Sequence, residues 1–139
     1  MENPGQEILE TYNIPIKRAD KIDLPIEHVG VITHFLHQDS DIISAGIFGS
    51  RVDESKTVSD SSDIDLGIIL NEYDEDKMAR IDFKINKRYK SITGDESEIH
   101  TCCLNKNVEH ALGNRSINQP FRETVNEHIV ILKGSSEEF

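Results

Sequence analysis

Asp63 and Asp65 flank Ile64 at the start of an apolar run that continues to Leu70. Side chains alternate along a strand, so the two carboxylates share one face while Ile64, Leu66 and Ile68 take the other. Carboxylates a few ångströms apart repel each other unless a cation sits between them. A hard divalent ion such as Mg²⁺ suits the pair, because it takes oxygen ligands and is commonly shared with substrate phosphates. Upstream, Gly49-Ser50 closes an earlier apolar run of Ile42, Ile43, Ala45, Ile47 and Phe48. The missing Cβ of Gly49 lets the backbone turn tightly or approach a ligand closely. Residues 46–70 thus read as strand, turn, polar loop and strand, with an acidic pair at the second strand's start.

Other elements must hold this stretch in place. Pro25, Glu27 and the spacing of Val29, Ile32, Phe35 and Leu36 predict a helix from Leu24. His34 and His37 lie three apart on it; a metal site there is weighed against surface histidines on an amphipathic helix, and the latter is preferred. Asp74 is a candidate N-cap for a helix to about Lys90 with Met78, Ile81 and Ile85 as its buried stripe. Lys77, Arg80, Lys84 and Lys87 beside that stripe read as a solvated face with local ion pairs. Ser97–Leu104 predicts a short third strand, with Glu98, His100 and Cys102 on one face. One or two helical turns over Asn105–Leu112, a helix from Pro120 over Phe121–His128 and a last strand over Ile129–Leu132 complete the pattern. Helices alternating with four short strands around one core predict an α/β or α+β two-layer domain. Residues 1–23, broken by Pro4 and Pro15, read as an N-terminal extension, 24–133 as the domain and 134–139 as a flexible tail.

With 139 residues, 36% hydrophobic and 29% charged, the chain has the composition of one folded soluble domain. No run is long enough for a membrane helix, and the acidic N-terminus is no secretory signal. The adjacent Cys102-Cys103 pair suits neither an ordinary disulfide nor a zinc site. A cytoplasmic address is the expectation. The net charge of −11 weighs against a tightly held nucleic acid, which runs on clustered Lys and Arg, and favours a small nucleotide or a basic protein.

Gly49-Ser50-Arg51 followed by Ser62-Asp63-Ile64-Asp65-Leu66 resembles the signature of the polymerase-β-type nucleotidyltransferase superfamily, and within it the minimal nucleotidyltransferases. The similarity extends over residues 24–133, including the ending P-F-R-E-T-V-N-E-H-I-V-I-L. It implies a short mixed sheet of about four strands with helices packed on it. It also implies transfer of a nucleoside monophosphate, with AMP from ATP as the expected case. Asp63 and Asp65 would hold two Mg²⁺ ions, which stabilise the attacking and leaving oxygens. Gly49, Ser50 and Arg51 would bind the β/γ-phosphates through backbone N–H groups, the hydroxyl and added positive charge.

The family pattern wants a third carboxylate from a later strand, and here two alignments compete. One puts Glu98 there as catalytic residue and metal ligand; the other puts His100 there. Strand parity does not separate them, because the two share a face. The loop R-V-D-E-S also departs from the small residue and glycine that the family usually carries after G-S-R.

The resemblance implies a protein acceptor and an antitoxin-like role beside a HEPN-type partner. The alternative is a degenerate module of the same fold that binds a nucleotide or protein without turnover. A small-molecule acceptor is disfavoured because such enzymes normally add a second domain. Polymerisation on a nucleic-acid primer is disfavoured by size and charge.

Overall fold

The computed structural model of the protein describes residues 4–52, 63–106, 108 and 118–139. The elements run α1 (Pro4–Thr11), α2 (Ile16–Ala19), α3 (Ile26–Gln38), β1 (Ile42–Phe48), β2 (Ile64–Leu70), α4 (Glu75–Thr93), β3 (Ile99–Cys103), α5 (Gln119–His128) and β4 (Val130–Lys133). Short 3₁₀ turns follow β1 at Gly49–Arg51 and β4 at Ser136–Glu138. The four strands form one mixed sheet in the order β3-β2-β1-β4. β1 runs antiparallel to both β2 and β4, whereas β2 and β3 are parallel. A parallel pair needs a long crossover, and α4 supplies it.

The capping chemistry of α4 explains its limits. Asp74 accepts hydrogen bonds from the amides of Asp76 (2.9 Å) and Lys77 (3.2 Å), satisfying donors that the first turn leaves over. At the other end Gly94 adopts φ 73° and its N–H returns to the carbonyl of Lys90, a left-handed stop that glycine enters without strain. Met78, Ile81, Ile85 and Tyr89 form the buried stripe. Of the basic residues on this helix, Lys77 pairs with Asp41 and Asp39, while Arg80, Lys84 and Lys87 are exposed.

Strand parity assigns the two faces of the sheet. Thr101 donates to Asp82 of α4, so its neighbours His100 and Cys102 point away from that helix. On the α4 side lie Ile47, Ile64, Leu66, Ile68 and Ile99, all at most 1% exposed. On the other side Phe48 meets the ring of Phe121 in α5 edge-on at 5.8 Å, and Arg122 donates to the carbonyls of Leu104, Asn105 and Val108. β2 is thus covered on both faces over most of its length, which is why it reads as a nearly unbroken apolar run.

The described part of the N-terminal segment packs on the domain. Leu9, Ile14, Ala19 and Ile22 belong to the same core cluster as the sheet. Tyr12 anchors the contact: its hydroxyl lies 3.0 Å from His34 Nδ1 and its ring stacks on His37 at 4.0 Å. His37 Nε2 also lies 3.0 Å from the carbonyl of Leu132. These histidines are half-buried packing groups joining α1, α3 and β4, and no metal site forms there among the described residues. Burial is the main reason that the His37 imidazole is held below its ordinary pKa. In the C-terminal segment Phe139 packs against the core and the amide of Ser135 reaches Ser44 Oγ, so it is joined to the fold. Cys102 and Cys103 are buried and form no disulfide. The helical turns expected over Asn105–Leu112 fall largely outside the described residues.

Candidate functional site

The acidic strand start lies on the face turned away from α4. Asp65 is in register with Phe48 of β1 on one side and His100 of β3 on the other. Asp63 sits just ahead of β2, and its Oδ2 lies 3.4 Å from His100 Nε2. Both side chains are about half exposed, at 49% and 46%.

Gly49 completes this corner from the end of β1. It holds φ +80°, and a Cβ built there would fall 2.2 Å from Asp65 Oδ2. The Asp65 carboxylate therefore rests against bare backbone, a close approach that any larger residue would forbid. Ser50 follows, half-buried, in the same 3₁₀ turn. Sequence reading placed Gly49 and Asp65 on successive strands; antiparallel pairing brings them into contact.

Arg51 departs from its expected place at a phosphate. It is only 6% exposed, and its guanidinium donates to the Asp23 carbonyl (3.0 Å) and to Ser97 Oγ (3.2 Å). The amide of Asp23 returns a bond to the Arg51 carbonyl. This guanidinium ties the turn after β1 to the segments before α3 and β3. Ser97 Oγ donates onward to Asp95 Oδ1 (2.8 Å), and Asp95 Oδ2 accepts from the Tyr89 hydroxyl (2.6 Å). His28 Nδ1 lies 3.1 Å from the same hydroxyl. Burial pushes the Asp95 carboxyl up, but bonds from Tyr89 and Ser97 outweigh it and hold it below the usual range. Burial, then the bond to Asp95, pushes the Tyr89 phenol well up. Nothing in the local sequence signals this network, whose members come from four separate segments.

Glu98 is not drawn into the acidic corner. Its carbonyl accepts from the Ile64 amide, but its carboxylate, 55% exposed, pairs with Lys90 of α4 at 2.5 Å. The Glu98 bond holds the Lys90 ammonium above its ordinary pKa. Of the two candidates for the third position, His100 is the one that stands beside both Asp63 and Asp65. Register puts His100 level with Asp65, and the side chains do the rest: His100 turns to Asp63 while Glu98 turns to Lys90. Among the described residues no three His, Cys, Asp or Glu side chains converge into a ready-formed metal cage. The donor chemistry nevertheless fits a divalent cation, since two carboxylates and an imidazole line one corner and Gly49 leaves it open to backbone. A separate cleft of about 410 Å³, lined by Arg18, Lys21, Ile131 and Ser135 among others, shares no residue with this corner.

The family model described as "Polymerase beta, Nucleotidyltransferase" matches residues 31–131, well over half of the chain. The chain belongs to this nucleotidyltransferase family. Membership agrees with the resemblance carried by Gly49-Ser50 and Asp63-Ile64-Asp65. No curated protein sequence matches the chain. Among solved structures, a chain in the crystal structure of the toxin–antitoxin MntA-HepT is similar at 13% identity and TM-score 0.48, covering 79% of this chain and 73% of that one. A chain in a mutant form of the same complex is similar at 13% identity and TM-score 0.52, covering 78% and 75%. The second likeness agrees with the nucleotidyltransferase fold. Among the described residues no helix is long and apolar enough to cross a membrane.

Proposed function

We propose that the protein transfers AMP from ATP to a hydroxyl of a protein acceptor, as the antitoxin-like partner of a HEPN-type protein in the cytoplasm. The observation that carries this reading is the corner itself. Asp63, just ahead of β2, and Asp65 both lie beside His100, and the Asp65 carboxylate is seated on Gly49 in the turn that would receive the phosphates. The partner and acceptor are what the resemblance to minimal nucleotidyltransferases implies; the similar solved chain with TM-score 0.52 comes from a toxin–antitoxin complex.

Asp63 and Asp65, with His100 beside them, would hold the divalent cation, Mg²⁺ in the family expectation. Such an ion polarises the transferred phosphoryl group and offsets charge on the attacking and leaving oxygens. Gly49 and Ser50 present backbone N–H groups and a hydroxyl to the β- and γ-phosphates. In the transfer the acceptor oxygen bonds to Pα, the bond from Pα to the oxygen bridging to Pβ breaks, pyrophosphate leaves and the hydroxyl proton passes to solvent. Arg51 keeps the turn in place from beneath and is not assigned a phosphate.

A second reading, a degenerate module that binds nucleotide or partner without turnover, is favoured by one observation: His100, not a carboxylate, stands level with Asp65. Incubation with α-labelled ATP, a divalent cation and a small helical protein encoded beside this one separates the two. The transferase reading expects label on the partner, reduced at least a hundredfold by Asp65→Asn. Equal labelling with both proteins, or label with neither, sinks it.

A further inference from the structure

We infer that His100 donates an imidazole nitrogen to the cation at this corner and thereby turns its preference from Mg²⁺ toward a borderline first-row ion of the zinc or iron class. The inference rests on the site proposed above but not on turnover. Three observations carry it. The register of β2 and β3 places His100 level with Asp65, where a hard-ion site would want an oxygen. Its Nε2 stands 3.4 Å from Asp63 Oδ2. Two donors each about 2.1 Å from one ion stand about 3.0–3.4 Å apart for bond angles between octahedral and tetrahedral, so this spacing already suits shared ligation. Finally, Glu98, the other candidate for this position, pairs with Lys90 on α4 rather than with the corner.

The alternative role for His100 is a plain ion pair with Asp63. Both groups are about half exposed, and exposed pairs contribute little to a fold. Imidazole, by contrast, is a good ligand for zinc, iron, nickel and cobalt, whereas Mg²⁺ demands oxygen and gives up its water reluctantly. Replacing one oxygen donor by nitrogen therefore weakens the hard ion and strengthens the borderline one.

Co²⁺ is the probe, followed by its visible absorption, with Mg²⁺ added as competitor and no nucleotide present. The wild type should bind one Co²⁺ that millimolar Mg²⁺ displaces poorly. His100→Asp should weaken Co²⁺ at least tenfold and make Mg²⁺ the better competitor. His100→Gln should lose Co²⁺ equally but gain no Mg²⁺, and circular dichroism checks that both variants are folded. Co²⁺ affinity within twofold of wild type in both variants overturns the inference, as does binding insensitive to Asp63→Asn, which would place the ion on another histidine. Failure of AMP transfer leaves these binding results standing, so the two proposals fail separately.

Discussion

Two polar clusters in this molecule use the same residue types to opposite ends. At the end of α4, Tyr89, Asp95, Ser97, Arg51 and His28 form a chain in which both Asp95 oxygens accept from protein donors. At the start of β2, Asp63 and His100 stand about half exposed, and Asp65 leans on a glycine. Buried polar groups that satisfy one another stiffen a fold and leave little for a ligand. Half-exposed carboxylates side by side carry an electrostatic cost that a bound cation relieves. The first cluster is framework; the second is the site we propose. They are also joined, because Arg51 directly follows Ser50 and Ser97 stands three residues before His100. The buried chain grips both backbone segments that flank the exposed corner.

The contrast can be broken most directly at Gly49. Gly49→Ala adds a Cβ on top of Asp65 Oδ2 at a positive φ. Backbone strain of about 1 kcal/mol accompanies displacement of the carboxylate, and divalent-dependent ATP binding should fall at least tenfold while the fold survives. Titration calorimetry and thermal unfolding on the same sample check both halves.

Tyr89→Phe should do the reverse, costing stability more than binding. It removes the donor to Asp95 Oδ2, a loss of about 1–2 kcal/mol measurable by urea unfolding near neutral pH. The sign of its pH dependence follows from Asp95. A carboxyl held below its ordinary pKa stabilises the fold above that ordinary value, near pH 4, and loses the contribution as pH falls through the lowered one. The variant should therefore show a shallower loss of stability than the wild type as pH falls below about 4. An unchanged acid limb would contradict the framework assignment.

The smallest effect belongs to Glu98→Gln. Its carboxylate faces Lys90 and solvent, so AMP transfer and ATP binding should stay within twofold of wild type. A tenfold loss in a transfer assay would restore Glu98 to the site.

Much of this was legible beforehand. The apolar runs of β1 and β2, the Asp74 cap of α4 and the pairing of a glycine turn with D-I-D are local signals, and all three stand where periodicity and capping rules put them. What stayed hidden depends on long-range contacts. Glu98 and His100 share strand parity, so only their tertiary partners, Lys90 for one and Asp63 for the other, separate them. Arg51 reads as a phosphate ligand from its place beside Gly49 and Ser50; its partners Asp23 and Ser97 are 28 and 46 positions away. The proline-broken N-terminal segment has sparse apolar residues, and the burial of Leu9 and Ile22 comes from tertiary contacts that no local pattern announces.

On the proposed reading, Asp63 and Asp65 bind a nucleoside triphosphate through a divalent cation. Equilibrium binding of a fluorescent ATP analogue, with and without the cation, tests it in wild type and in the double variant Asp63→Asn, Asp65→Asn. The account predicts saturable binding only with cation present and at least a tenfold loss in the double variant. Binding of equal strength in both proteins, or binding indifferent to the cation, would contradict it.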